Sequence, residues 1–223
     1  MEDRMNSGLL LILLDRDGPA EWDDRLRAID GISRVSWWKN LRPGRTDWIG
    51  EWRRMKDDFE TLGVCEIDGP VDRIVPPAGV RSILFRRAQR PSQGVLRLPT
   101  MGLSLVMISP ENATDDVSAR ALRDWGDFVH FPGIVDANIP GYGLVTPYEN
   151  AARDAPRFLH FYEFPDADAE AVFERTRPCV AQRFDSQPGE TAFDHWATYP
   201  GMALDYLSNF ARIDVGADAL QGA

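Results

Sequence analysis

The segment GLLLILL (Gly8–Leu14) is apolar at every position after its glycine, and a similar segment, GLSLVMI, begins at Gly102. A strand with one wet face alternates apolar and polar residues, so an unbroken apolar run predicts a strand covered on both sides. Around these two segments the chain repeats one order of parts. The first passes through an amphipathic stretch ending AIDGI (28–32), then SRVSWWKNL (33–41), then TLGVCEID (61–68). The second passes through DDVSARALRDWGDFVHFPGI (115–134), the turn IPGYG (139–143) and RFLHFYEF (157–164). The register drifts, since Gly8 and Gly102 lie 94 positions apart and Glu66 and Glu163 lie 97 apart. The surplus stretch RPGRTDWIGEWRRMKDDFE (42–60) of the first half is the insertion that accounts for loops of unequal length. Helices cover one face of each sheet, and a second sheet of the same kind is the simplest cover for the other. The expectation is an α+β protein in which two antiparallel sheets, helices outside, close face to face into a barrel. QRPSQGVLRLPT (89–100) reads as the connector. This divides the chain into 1–90, a linker 91–101, and 102–223.

Helix signals agree with that division. Asp17 caps a first helix with Pro19 in its opening turn and Gly31 at its end. Thr114 or Asp115 caps a helix carrying Leu122, Trp125 and Val129 about a turn apart. A third runs from Asp166 to Arg177 and stops at Pro178. The stretch 46–59 reads as a helix burying Trp48, Ile49, Trp52 and Met55.

The composition excludes several classes. With 35 acidic and 25 basic residues the formal charge is −10, so the basic surface that nucleic acid or an anionic membrane requires is missing. GLLLILL has no basic flank or cleavage site and is too short to span a bilayer, which makes a cytoplasmic protein with no membrane partner the expectation. Cys65 and Cys179 lack a CxxC or a histidine at ligand spacing and read as reduced, buried thiols. No GxSxG, P-loop, GxGxxG, HxH or HExxH is present, and no metal site is expected from the three histidines.

The order Trp125, His130, Pro132, Pro140-Gly141, Tyr148-Glu149 and the aromatic FYEF strand (161–164) resembles the dimeric α/β-barrel superfamily, in particular its EthD-like members. The resemblance covers 102–165 well and 8–90 less well. It implies two tandem ferredoxin-like repeats that form within one chain the barrel that smaller members make by dimerising. The protein is then a monomer or a homodimer. In the first half Trp22 matches the tryptophan, but Arg27 stands at the histidine position and Ile29 at the proline position, so a site of the family's kind is complete only in the second half.

His130 is the first catalytic candidate, since an imidazole takes and returns protons near neutral pH, and Asp124 and Asp127 precede it by six and three residues, the latter within reach of the ring on a helix. A histidine at a helix end also satisfies terminal carbonyls without any function. His160 and Tyr162 share one face of the strand 157–164, opposite Leu159, Phe161 and Glu163, and complete the catalytic set. Trp125, Tyr142, Tyr148, Trp37, Trp38, His195 and Trp196 are the substrate-binding candidates. Trp37 and Trp38 point to opposite faces, so at most one faces the barrel interior. His195 and Trp196 lie in a loop bounded by Gly and Pro that is placed to cover a pocket.

The function expected is a cofactor-independent isomerase, cyclase or lyase acting on an apolar, aromatic or polycyclic carbonyl or phenol compound by histidine acid/base catalysis. The alternatives are a non-catalytic small-molecule binding protein and a haem protein, since haem needs only one axial histidine.

Overall fold

A computed structural model describes residues 6–15, 18–45, 47–96 and 98–214, and only the backbone of Trp48. Eight strands form one closed antiparallel barrel: β1 (Gly8–Leu14), β2 (Ile32–Asn40), β3 (Thr61–Ile67), β4 (Arg81–Arg87), β6 (Gly102–Pro110), β7 (Leu144–Asn150), β8 (Phe158–Phe164) and β9 (Met202–Ile213). The order is β4-β1-β3-β2-β9-β6-β8-β7, and β7 returns to β4. The hydrogen-bonded seams β2–β9 and β4–β7 make the two expected sheets continuous. A two-residue strand, β5 (Gln93–Gly94), pairs with β7 beyond the point where β4 ends. The connector therefore contributes to the sheet and crosses one end of the barrel.

Alternation explains the unbroken apolar runs. Leu9, Leu11 and Leu13 of β1 and Leu103, Leu105 and Met107 of β6 point inward and share one core with Trp38, Phe85, Tyr148 and Phe161. Leu10, Ile12 and Leu14 point outward against Trp22 and Leu26 of α1 (Pro19–Arg27). All seven residues of β1 are buried. At about 25 cal/mol per Å² of apolar surface, this two-sided burial is the main force holding the sheet.

One end of the barrel is sealed. Tyr206 donates to Asp58 at 2.7 Å, Asn40 donates to Tyr206 at 3.1 Å, and Ser208 donates to Asn40 at 2.7 Å. Phe59 stacks on Tyr206 and Phe210 with ring centroids 5.0 and 5.7 Å apart.

Outside the sheet lie α2 (Trp48–Trp52), α3 (Asp116–Trp125), α4 (Phe131–Asp136), α5 (Ala169–Phe184) and α6 (Thr191–Ala197). Asp115 caps α3 by accepting from the backbone N–H groups of Val117 and Ser118. Several expectations need correction. Pro178 lies inside α5, which starts at an Asp168 cap and ends at Asp185 in a left-handed conformation; the proline forgoes one backbone bond without breaking the rod. Asp17 lies outside the described residues, α1 ends at Arg27 with Ala28 as its cap, and Gly31, at φ +90°, makes the later turn into β2. The helix foreseen over 46–59 is only the five residues of α2, because from Arg53 the chain extends so that Arg54 and Met55 bond to the carbonyls of Leu204 and Asp205. Trp52 is consequently 73% exposed. His195 and Trp196 sit on α6, not in a loop. Among the described residues no helix is long and apolar enough to cross a membrane.

Candidate functional site

His130 does not end a helix. A π-helical turn, Gly126–His130, joins α3 to α4 in one continuous helical run, and such turns offset side chains from the regular helical face. The ring lies between two tryptophans, with centroids 4.9 Å from Trp125 and 5.3 Å from Trp196. Its Nδ1 is 3.0 Å from the Trp196 carbonyl and its Nε2 is 3.1 Å from the Tyr162 hydroxyl. Burial pulls its pKa down to about 4, against the Trp196 carbonyl bond that raises it. The ring is therefore neutral, Nδ1–H donates to the carbonyl, and Nε2 accepts from Tyr162. Asp127 does not orient the ring as the sequence suggested; it pairs with Arg90 at 3.3 Å. Trp125 Nε1 donates to the His195 carbonyl and Trp196 Nε1 to the His130 carbonyl, at 2.8 and 3.0 Å, which locks α6 onto the π turn. Gly133 permits this packing, since a Cβ there would lie 2.6 Å from Trp196 Cδ1.

His160 faces the same layer, its ring 4.5 Å from Phe131, and burial drives its pKa well below the usual value. The void it lines with Arg123 and Asp127 has a volume of about 10 Å³, room for a single water. Tyr142 packs against Tyr162 and Phe164, and its buried hydroxyl has no hydrogen-bond partner. The sequence candidates His130, His160, Tyr162, Trp125, Tyr142 and Trp196 thus form one layer between the sheet and the helices. His195 is exposed. Trp37 packs in the outer layer of the first half, donating to Asp23 at 2.8 Å.

The space for a ligand lies on the other side of the sheet. The barrel end away from the Tyr206 seal opens into a cavity of about 670 Å³, within the range of small-molecule sites. Of the substrate-binding candidates, Trp38 and Tyr148 line it, with Leu9, Leu103 and Phe161 as its floor. Its polar groups are ones the sequence reading did not select. Glu66 of β3 stands opposite Leu9 of β1, and Glu163 of β8 opposite Leu103 of β6. Arg34 pairs with Glu66 at 3.4 Å. Glu163 accepts from Thr100 at 2.9 Å. Arg87 donates to Ser92 at 2.6 Å and to Asn6 at 3.4 Å, and Asn6 also accepts from the Tyr148 hydroxyl at 3.0 Å. Burial raises the pKa of Glu66, which Arg34 opposes. Burial raises that of Glu163 as well, opposed by Thr100 and reinforced by the charge of Glu66. One signal was available in the sequence: an acidic residue at an inward position of an otherwise apolar strand, in the corresponding strand of each half.

The residues present do not fit haem. Both ring nitrogens of His130 are engaged, His160 faces a void of one water, His195 is on the surface, and none of the three lines the large cavity. Among the described residues no cluster of three or more His, Cys, Asp or Glu side chains is arranged to hold a metal ion.

No family model and no curated protein matches the chain. Solved structures do. A candidate monooxygenase from Fusobacterium nucleatum is 8% identical with a TM-score of 0.51, the alignment covering 93% of this chain and 91% of that one. A major regulator of staphylococcal pathogenesis is 9% identical with a TM-score of 0.53, covering 93% and 99%. A chlorite dismutase from Candidatus Nitrospira defluvii is 9% identical with a TM-score of 0.48, covering 96% of each chain. At these identities the first two share a fold with this chain and carry no activity across to it. What these two structures share with this chain is an α+β fold built on a large antiparallel sheet, which here closes into a barrel within a single chain.

Proposed function

We propose that the chain is a small-molecule enzyme that holds an apolar carbonyl or phenol compound in the open end of the barrel and carries out isomerisation, cyclisation or elimination by proton transfer, with no cofactor. The observation that carries this reading is the 670 Å³ cavity, whose apolar floor meets carboxyl, guanidinium and phenol groups at its mouth. An apolar body with one polar head fits such a lining. The EthD-like order of residues from Trp125 to Phe164 and the two-repeat division at 91–101 belong to the same reading, supported by the matching strand orders β4-β1-β3-β2 and β9-β6-β8-β7. Because the barrel closes within one chain, a monomer suffices for the site.

A second reading puts catalysis at His130, His160 and Tyr162. The 3.1 Å bond between His130 and Tyr162 on a π-helical turn favours it. It requires α6 to swing away from Trp125 and His130 to admit substrate.

Binding of 1-tetralone, followed by saturation-transfer NMR, separates the two. Leu144→Trp narrows the barrel mouth and is expected to weaken binding at least tenfold, whereas His130→Gln leaves binding unchanged. The opposite pattern would move the site to the His130 layer, and binding without any conversion across a panel of ketones and phenols would make the protein a carrier.

A further inference from the structure

Two groups of opposite charge line the cavity without a counter-ion among the described residues. Among the described residues Arg87 has no carboxylate within ion-pair distance, its guanidinium being held by the neutral Ser92 and Asn6. Among the same residues Glu163 has no cation within that distance and accepts from Thr100. By contrast Glu66 has Arg34. Ion pairs in this protein form readily elsewhere, as at Arg53 with Asp58 and Arg157 with Glu149. The charge of Arg87 acts on Glu163 with no ion pair between them, and both side chains line the same cavity. Both are fixed on strands, β4 and β8, and each is already oriented by a hydroxyl neighbour.

Resting on the barrel-mouth reading, we infer that Glu163 is the base of this site and Arg87 the partner of the oxygen on which charge develops, so that the substrate is a carbonyl compound with a removable proton on the adjacent carbon. The C–H bond breaks and its proton goes to a Glu163 carboxylate oxygen. The electron pair forms the carbon–carbon double bond of an enolate, and the carbonyl oxygen takes the negative charge beside the Arg87 guanidinium. When the proton on Glu163 exchanges with solvent, delivery of the solvent-derived hydron to the same carbon gives exchange; delivery to another carbon gives isomerisation, and departure of a group from the next carbon gives elimination. No oxidant or reductant enters. Fixed donors aimed at a developing oxyanion and a base positioned in a partly dry site are the two largest contributors to such reactions. Among the described residues, Arg34, Arg87, Tyr148, Glu66 and Glu163 are the titratable groups facing this point from β2, β4, β7, β3 and β8. Glu66 is a positioning residue: its charge strengthens the hold of Glu163 on a proton.

The test is hydrogen–deuterium exchange at the carbon next to the carbonyl of 1-tetralone, with the full chain in D₂O, read by proton NMR alongside saturation-transfer binding. The intact protein is expected to speed exchange ~10²-fold over buffer. Glu163→Gln should return exchange to the buffer rate while 1-tetralone still binds, and Arg87→Met should lower it about tenfold. Glu66→Gln should shift the pH at which exchange switches on to a lower value, an effect that loss of structure does not produce. Exchange that survives in Glu163→Gln, or binding by the intact protein without exchange, overturns the assignment and leaves the barrel-mouth reading standing. No binding of 1-tetralone overturns both.

Discussion

The two faces of β8 differ in how completely their polar groups are satisfied. Outward, His160 and Tyr162 meet the π turn, where His130 sits between two tryptophans with both ring nitrogens bonded. Inward, Phe161 and Glu163 meet a cavity in which, among the described residues, Glu163 and Arg87 lack partners of opposite charge. A buried polar group with its bonds made stabilises a single arrangement, while an unpaired charge beside open space is a cost that a ligand can relieve. His130 and Tyr162, residues of the kind that usually signal catalysis, are therefore fastened to each other here, and those that resemble ordinary strand charges are the available ones.

The largest test of this contrast is His130→Ala. It removes two hydrogen bonds and a ring stacked on Trp196 and tilted against Trp125, and should cost about 3–4 kcal/mol in urea unfolding. A loss below about 1 kcal/mol would show that the outward layer is loose enough to open. Next is the pH dependence. His130 has a pKa of about 4 in the fold against 6.5 when free, so between these values the unfolded chain binds a proton that the folded chain refuses. Its contribution is complete above about 6.5 and is lost as pH falls towards 4, by about 3 kcal/mol. The raised Glu66 and Glu163 act in the opposite sense, losing their contribution as pH rises. The difference between the intact protein and His130→Gln isolates the histidine, and equal acid slopes in the two would contradict its burial as a neutral ring.

Gly133→Ala tests the same layer from behind. The new Cβ would lie 2.6 Å from Trp196, and the displaced indole should lower stability by about 2 kcal/mol on calorimetric melting. On the inward face Glu163→Gln should do the reverse. With no cation among the described residues in ion-pair contact, the buried carboxylate is a burden once ionised, so its removal should raise stability at pH 7 by about 1 kcal/mol or less and change nothing at pH 4. A destabilising effect at pH 7 would mean that the charge is already compensated.

Much of the barrel was legible from residues such as Leu9 to Leu14 and Leu103 to Ile108, because a strand buried on both faces leaves no polar alternate. The opposite faces of Trp37 and Trp38, and of His160 and Phe161, followed from the period of two. Other features were less legible. Pro178 and Trp52 were misplaced because continuation of a helix depends on what packs along it, and α6 was read as a loop because Gly189 and Gly201 punctuate it. His130 was singled out by residue type, and nothing in the local sequence reveals that Trp196, 66 positions away, closes over it.

What the sequence determined by itself is the doubly buried strands β1 and β6 and the alternating faces of β2 and β8, consequences of local periodicity, whereas β4 and β9 were not read from it. Only the tertiary structure decided which face of the sheet is filled. That depends on whether partners distant in the chain reach a group and satisfy it: they reach His130, and they leave Glu163 and Arg87 facing open space.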